Sequence, residues 1–405
     1  MLVGYSGSVA AFAPSSSSEI SPRSLTLAGT SLIAVSFGLA RYGYGLFVPQ
    51  FRDDLHLSSA QIGAFSSVSY IGYGLGLLGC GALLRRLGAR STALISATLV
   101  SIGIFAIASA VAPAILAVGV GVAGTGVGLS WPPFSDLAAH CVEPSRRPRV
   151  VSTISTGTSF GLILAVPLAI LAGPAWRAVW LSFGVLSLLA LASNALILPR
   201  VPDGKSRTAS RLTAHRDARQ LALLTTYSAI YGVLGAVFFT FAVELANANH
   251  HGRASSSLLW AIVGATGLVA VRTGDAVQSV GLRNVNRVVF LGMAAGLLCI
   301  GMAPASLGLL YTGAAIFGPF YMAGAAIVPA WAERIDPSSP SRPHTIATAF
   351  SALGSIAGAA ATGAMGSTTG LPAVFTASAA LAVFAGFSLG CAAPTTGPKR
   401  SRPAA

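Results

Sequence analysis

The chain is divided into apolar runs long enough to cross a lipid bilayer, and that division constrains its fold more than any single motif. About twelve runs can be marked, at residues 25–49, 61–84, 92–112, 114–137, 150–171, 176–198, 221–245, 257–271, 288–303, 306–331, 345–365 and 372–392. A helix rises 1.5 Å per residue, so roughly 20 residues cover a hydrocarbon core of about 30 Å. The eighth and ninth runs are short or interrupted. Composition agrees: 54% of residues are hydrophobic, 9% are charged and the mean hydropathy is +0.74. A soluble domain wets its surface with roughly 25% charged residues, and disordered chains are poor in apolar ones, so both classes are excluded. Cys80, Cys141, Cys299 and Cys391 are widely scattered and make neither a zinc-ligand spacing nor a disulfide framework. No metal or other cofactor is expected.

The net charge of +14 would suggest nucleic acid if the basic residues formed one patch. They alternate between loops instead. Arg23, Arg85, Arg86, Arg90, Arg146, Arg147, Arg149, the 200–219 group, Arg272, Arg283, Arg287, Arg334, Arg342 and the Lys399–Arg402 tail all fall on one side. That side holds 21 of the 25 Lys and Arg, the other holds Arg52, Arg177 and Arg253, and Arg41 alone lies within a run. This is the positive-inside pattern, and it predicts both termini in the cytoplasm, with no nucleic-acid partner. Residues 1–24 lack a basic n-region and carry Ser15 to Ser18, so they read as a cytoplasmic tail and not as a cleaved signal.

A shift of 193 residues superimposes the two halves. It places Gly81 on Gly274, Gly88 on Gly281, Arg90 on Arg283, Pro144 on Pro337, Ser145 on Ser338, Arg149 on Arg342 and Gly161 on Gly354. Matches of Pro, Arg and spaced Gly in equivalent loops are informative where apolar matches are not. The chain therefore reads as a cytoplasmic tail (1–24), a six-helix half (25–198), a basic solvated linker (199–220), a second six-helix half (221–393) and a C-terminal tail (394–405). The expected fold class is an all-α polytopic membrane protein with twelve transmembrane helices in two six-helix halves.

The segment Gly81-Ala-Leu-Leu-Arg-Arg-Leu-Gly88-Ala-Arg90, set in this 6+6 layout, resembles the cytoplasmic loop signature of the major facilitator superfamily. Gly38-Leu-Ala-Arg41-Tyr-Gly-Tyr44-Gly-Leu-Phe-Val-Pro49, followed by Asp54-Leu-His-Leu-Ser-Ser-Ala-Gln-Ile-Gly63, further resembles its YbfB/YjiJ-type branch. The resemblance implies secondary active transport of a small solute by alternating access in a bacterial inner membrane, with a cavity lined by the first, fourth, seventh and tenth spans. It also implies gating loops at Gly81, Gly88 and Arg90 and at Gly274, Gly281 and Arg283. The superfamily carries an acidic residue where this chain has Arg85, and Gln278 stands at the repeated position, so the latch that acid makes is absent or rebuilt. The fourth span lacks the arginine many members carry there, and Leu162 replaces the proline of the antiporter motif beside Gly157 and Gly161. Efflux of amphipathic compounds, or a non-transporting sensor or scaffold on the same fold, are the alternatives.

Two motifs match enzymes by letter. Gly157-Thr-Ser159-Phe-Gly161 fits a nucleophile elbow, but all six histidines are placed in loops, which leaves no base at membrane depth. Gly119-Val-Gly121-Val-Ala-Gly124 fits a dinucleotide fingerprint without its preceding strand. Both read as close helix packing, and the chain is not expected to be an enzyme. Trp176, Trp180 and Trp260 read as interface anchors; Trp131 and Trp331 sit toward inner span ends.

An arginine near a helix centre costs about 2.5–3.5 kcal/mol to insert, so Arg41 needs a reason to be there. Phe37 at i−4 and Tyr44 at i+3 would share its face. A substrate carboxylate or phosphate, an ion pair with Glu244, a cation–π contact and snorkelling all remain open. The candidate substrate contacts are Arg41, Tyr44, Trp131, Tyr231 and Tyr321. If protons are the coupling ion, Asp136 and Glu244 are the side chains that could carry them, since they are the acids nearest the interior.

Overall fold

Gly88 decides the number of spans. In the computed structural model, which describes residues 21–143, 146–172, 175–199, 215–249, 252–302, 305–336 and 341–392, eleven helical runs are long and apolar enough to cross a membrane. One of them, Ser59–Ala108, has 50 residues, which at helical rise is about 75 Å, more than twice a hydrocarbon core. Gly88 interrupts it at φ 75° and ψ 170°. Residues 59–87 and 89–108 are therefore the second and third spans, and the total is twelve. The first is Pro22–Leu46, the fourth Pro113–Cys141, the fifth Arg149–Leu171 and the sixth Trp176–Ile197. The seventh to twelfth are Ala218–Ala248, Ser255–Val277, Leu282–Met302, Leu307–Ile335, Arg342–Gly366 and Leu371–Leu389. The described residues contain no strand.

The eighth run looks interrupted in sequence because a tight 3-10 turn, Leu268–Arg272, divides it before the helix resumes at Thr273–Ser279. The ninth is longer than its apolar core, since Arg283 and Arg287 lie in the opening turns of Leu282–Met302. Between the first two spans a short helix, Val48–Leu55, ends at His56 in the left-handed region. Ser58 and Gln61 then start the second span with a reciprocal capping box that satisfies the first free amides.

The 193-residue repeat has a spatial counterpart. A side chain on Gly161 in the fifth span would overlap the Ala34 carbonyl of the first, and one on Gly354 in the eleventh would overlap the Ala229 carbonyl of the seventh. The dinucleotide-like glycines do the same work, Gly124 lying against the Ser69 carbonyl and Gly119 against Ile107. Small residues let helix backbones approach where lipid provides no hydrophobic drive.

The tryptophans are not interface anchors. Trp176, Trp180 and Trp260 are 2%, 0% and 0% exposed. Phe51 of the short helix sits edge-on to Trp176 at 4.9 Å and near Trp180 at 6.1 Å, so those rings fill the junction between this helix and the sixth span. Trp260 donates its indole N–H to the Tyr42 carbonyl, and buried Trp331 donates to Gln220. Residues 1–20 and 393–405, the linker from 200 to 214, and the paired Pro144–Ser145 and Pro337–Ser338 lie outside the described residues.

Candidate functional site

From Ala34 to Tyr42 the first span is wound as a π-helix, and the Gly43 amide closes it by donating to Gly38, five residues back. Such a stretch, rare in helices and frequently found at functional sites, rotates the residues C-terminal to it relative to an α-helical register. Between Ala34 and Val48 only Ala34, Phe37 and Arg41 keep partial exposure, so the middle of this span opens along one stripe that ends on the guanidinium.

Four rings surround Arg41. Its guanidinium carbon lies 4.0 Å from the centroid of Tyr73, 5.1 Å from Tyr70, 5.3 Å from Phe37 and 5.5 Å from Tyr42. Each ring presents a negative face, which offsets part of the cost of removing the cation from water. Arg41 enters none of the ion pairs found among the described residues, and its buried Nε has no hydrogen-bond partner.

From this cage an aromatic stack runs into the second half. Tyr42 lies against Phe239 of the seventh span with centroids 4.1 Å apart, and its hydroxyl is 3.0 Å from that of Tyr321 in the tenth. Tyr321 stacks on Tyr231 at 4.6 Å with an interplanar angle of 12°. The other hydroxyls are spent on backbone: Tyr231 donates to the Tyr321 carbonyl at 2.9 Å and Tyr227 to that of Gly324 at 3.1 Å.

A second cluster lies on the side of the bundle that carries the Val48–Leu55 helix, opposite the Gly88 and Gly281 turns. Arg52 pairs with Glu244 at the end of the seventh span, and Ser59 accepts from Arg52 at 2.7 Å while reaching the same carboxylate oxygen. Glu244 is buried and its Oε2 has no partner. A cleft of about 260 Å³ adjoins it, lined by Pro49, Arg52, Asp53, Glu244, Asn247 and Ala248. On the same short helix Asp54 accepts from Arg177, which also donates to the Ala110 carbonyl, so the helix is tied to the first half while Arg52 reaches the second.

The sequence matches the Major Facilitator Superfamily over residues 30–340. The chain belongs to that superfamily. Its fold is shared with solved transporters of the same class. A partially occluded inward-open conformation of the xylose transporter XylE from E. coli is 18% identical, with 93% of this chain and 98% of that chain covered and a TM-score of 0.77. A D-xylose–proton symporter is 19% identical over 91% and 97%, with a TM-score of 0.74. The nucleoside transporter NupG is 16% identical over 91% and 98%, with a TM-score of 0.70. This protein is thus an integral membrane transporter and not an enzyme.

Within this superfamily member the sequence-derived residues separate into groups. Arg41, Tyr231 and Tyr321 converge through Tyr42. Tyr44 takes no part in the cage, because the π-turn carries it toward the second span, where its hydroxyl donates to the Ile62 carbonyl at 3.3 Å. Tyr42 occupies the place expected of it. Trp131 is half-buried at the bend before Pro132 and contributes no ring to the stack. Of the alternatives open for Arg41, the ion pair with Glu244 is not formed, since Glu244 pairs with Arg52, and the cation–π contact is. Asp136 is 47% exposed beside His140, at 3.6 Å, on a solvated helix end. His140 and His344 stand within helices and not in loops.

Of the residues expected in gating loops, Gly81 and Gly274 are helical, and Arg90 and Arg283 begin the third and ninth spans. Only Gly88 and Gly281 make the turns, both with positive φ. Arg90 donates to the Ala195 carbonyl of the sixth span at 2.6 Å, holding the first turn where Arg85 stands in place of an acid. Sequence reasoning missed Tyr42, Tyr70, Tyr73, Phe239, Arg52 and Ser59. Tyr70 and Tyr73, spaced i and i+3 in an otherwise apolar run, and Arg52, one of three basic residues on its side, were the available signals.

Proposed function

We propose that this transporter moves a small organic anion by alternating access, with Arg41 as the anion contact. The observation that carries the reading is a guanidinium inside the first span, toward its C-terminal end, that is held by rings and, among the described residues, by no carboxylate. Cation–π contacts retain the charge without neutralising it, which leaves the planar donor fork for a ligand. Binding an anion there, and releasing it as the halves rearrange, needs no covalent chemistry.

Contacts between the halves support an assignment of state. Gly45 lies against the Phe239 carbonyl, Gly63 against Ala359, and Ser67 donates to the Ile356 carbonyl, all together with Arg52–Glu244 toward the Val48–Leu55 side. We read this as the conformation closed on that side. The basic-loop bias puts that side outside the cell and both termini in the cytoplasm of a bacterium. Glu244 is the side chain proposed to couple a proton: protonation would remove the charge that retains Arg52 and let this side open. Asp136, solvated at a helix end, is the weaker of the two coupling candidates.

The test is uptake into proteoliposomes of organic anions that stabilise the purified protein against heat. Arg41→Ala should assemble and lose transport, and Arg41→Lys should recover only part because the bidentate geometry is gone. Normal transport by Arg41→Ala would overturn the reading.

A further inference from the structure

We infer that the transported anion is a monocarboxylate with a flat apolar or aromatic body, a conclusion that rests on the anion reading of Arg41 and narrows it. Two observations carry it. First, the site offers one cation without a carboxylate, while Arg52 is already committed to Glu244. A single guanidinium matches a single carboxylate, whereas a dianionic phosphate would bring a second charge into an apolar centre with nothing to meet it.

Second, the hydroxyls of the aromatic stack that could hold a hydroxylated ligand are spent inside the protein. Tyr42 and Tyr321 bond each other, and Tyr231 and Tyr227 donate to backbone carbonyls. The side-chain amides of the spans and the short helix lie elsewhere: Asn194 donates to Ala28 in the first half, Gln220 meets Trp331, Asn286 is buried in the ninth span, Gln50 is buried on the short helix and Asn247 lines the Glu244 cleft. What remains beside Arg41 is ring surface and the hydroxyls of Tyr70 and Tyr73, which face Arg41 itself. Phe37 is the ring on the partly exposed stripe, 5.3 Å from the guanidinium, so a ligand whose carboxylate met Arg41 would lay its body on that ring. Aromatic pairs favour offset or edge-on contacts, which a planar ligand supplies and a saturated polyol does not.

The experiment compares benzoate, acetate, benzamide and D-xylose as ligands of the detergent-purified full chain, by thermal shift and calorimetry. Benzoate should bind at least about tenfold more tightly than acetate, while benzamide and xylose should give no saturable signal. Phe37→Ala should weaken benzoate and leave acetate unchanged, and Arg41→Gln should abolish both. Equal affinity for acetate and benzoate would overturn the apolar-body inference and leave the anion site standing. Benzamide binding as well as benzoate, or xylose binding alone, would overturn the anion site as well. The benzoate–benzamide comparison uses the unaltered protein, so it decides the charge question even if Arg41→Gln fails to fold.

Discussion

Gly88 and Gly281, 193 residues apart in sequence, both hold positive φ, at 75° and 83°, in the turns after the second and eighth spans. Gly88 adds ψ near 170°, a combination open essentially to glycine alone. Around Gly281 a side chain would meet nothing within 4 Å, so the cost there is backbone strain and not collision. Gly88→Val and Gly281→Val should each cost about 1–3 kcal/mol, read as lower yield of monodisperse protein and lower melting temperature. Gly88→Asn should be no better than Gly88→Val, because asparagine tolerates the left-handed helical region but not this one. Wild-type yield and stability of the Gly88→Val, Gly281→Val double variant would remove the structural meaning of the pairing.

Arg52 and Glu244 lead to a second expectation. Glu244→Gln keeps the shape and removes the charge that Arg52 and Ser59 address. If the pair holds its side of the transporter closed, the population should shift toward opening there. A Ser59→Cys probe, half-exposed in the closed form, should then react several-fold faster with a membrane-impermeant maleimide in the Glu244→Gln background. If protons drive the carrier, accumulation against a gradient should also be lost while exchange across the membrane persists. Unchanged labelling would dissociate the pair from gating.

Bilayer thickness made the twelve spans legible, because it sets the length of an apolar run whatever the substrate. The repeat was legible through Gly88, Gly281, Gly161 and Gly354, residues whose identity is demanded by backbone geometry. The site was only half legible. Phe37 lies where helical spacing put it relative to Arg41, but the π-turn at Ala34–Tyr42 has no propensity signature, and it exchanged Tyr44 for Tyr42. Glu244 is legible in sequence as an acid near the interior, but its partner lies 192 residues away, on a short helix of which an apolar count assigns only Val48 and Pro49 to the first span and leaves the rest as loop. The tryptophans misled for a related reason: an aromatic residue near a span end has the same spacing whether it faces headgroups or a junction filled by Phe51.

The Tyr42–Tyr321 hydroxyl contact should behave as a coupled unit. Tyr42→Phe and Tyr321→Phe each leave one hydroxyl unpaired in the same buried place, so the double variant should lose less than the sum of the singles. Hydrogen bonds between membrane helices average about 0.6 kcal/mol in such cycles, and a coupling of that order is expected in thermal or denaturant unfolding. Strict additivity would separate the two hydroxyls energetically.

Orientation can be read by reporters. A fusion after Ala405 should report cytoplasm, and an insertion near His251 should report the outside. A C-terminal reporter active only outside would defeat the charge-based assignment, through either an odd number of crossings or an inverted bundle.

Two glycines that look alike in sequence should respond differently to the same substitution. Gly161 packs on the Ala34 carbonyl inside the first half, a contact that persists if each half moves as a rigid body. Gly45 packs on the Phe239 carbonyl across the halves, a contact that exists only while this side is closed. A methyl group at Gly161 therefore has no conformation in which to escape and should reduce folding yield and melting temperature. The same methyl group at Gly45 is relieved when the halves separate on that side, so Gly45→Ala should fold, label faster at Ser59→Cys and slow transport. Equal loss of folded protein for Gly45→Ala and Gly161→Ala would mean that the Gly45 contact is structural and that the halves do not part there.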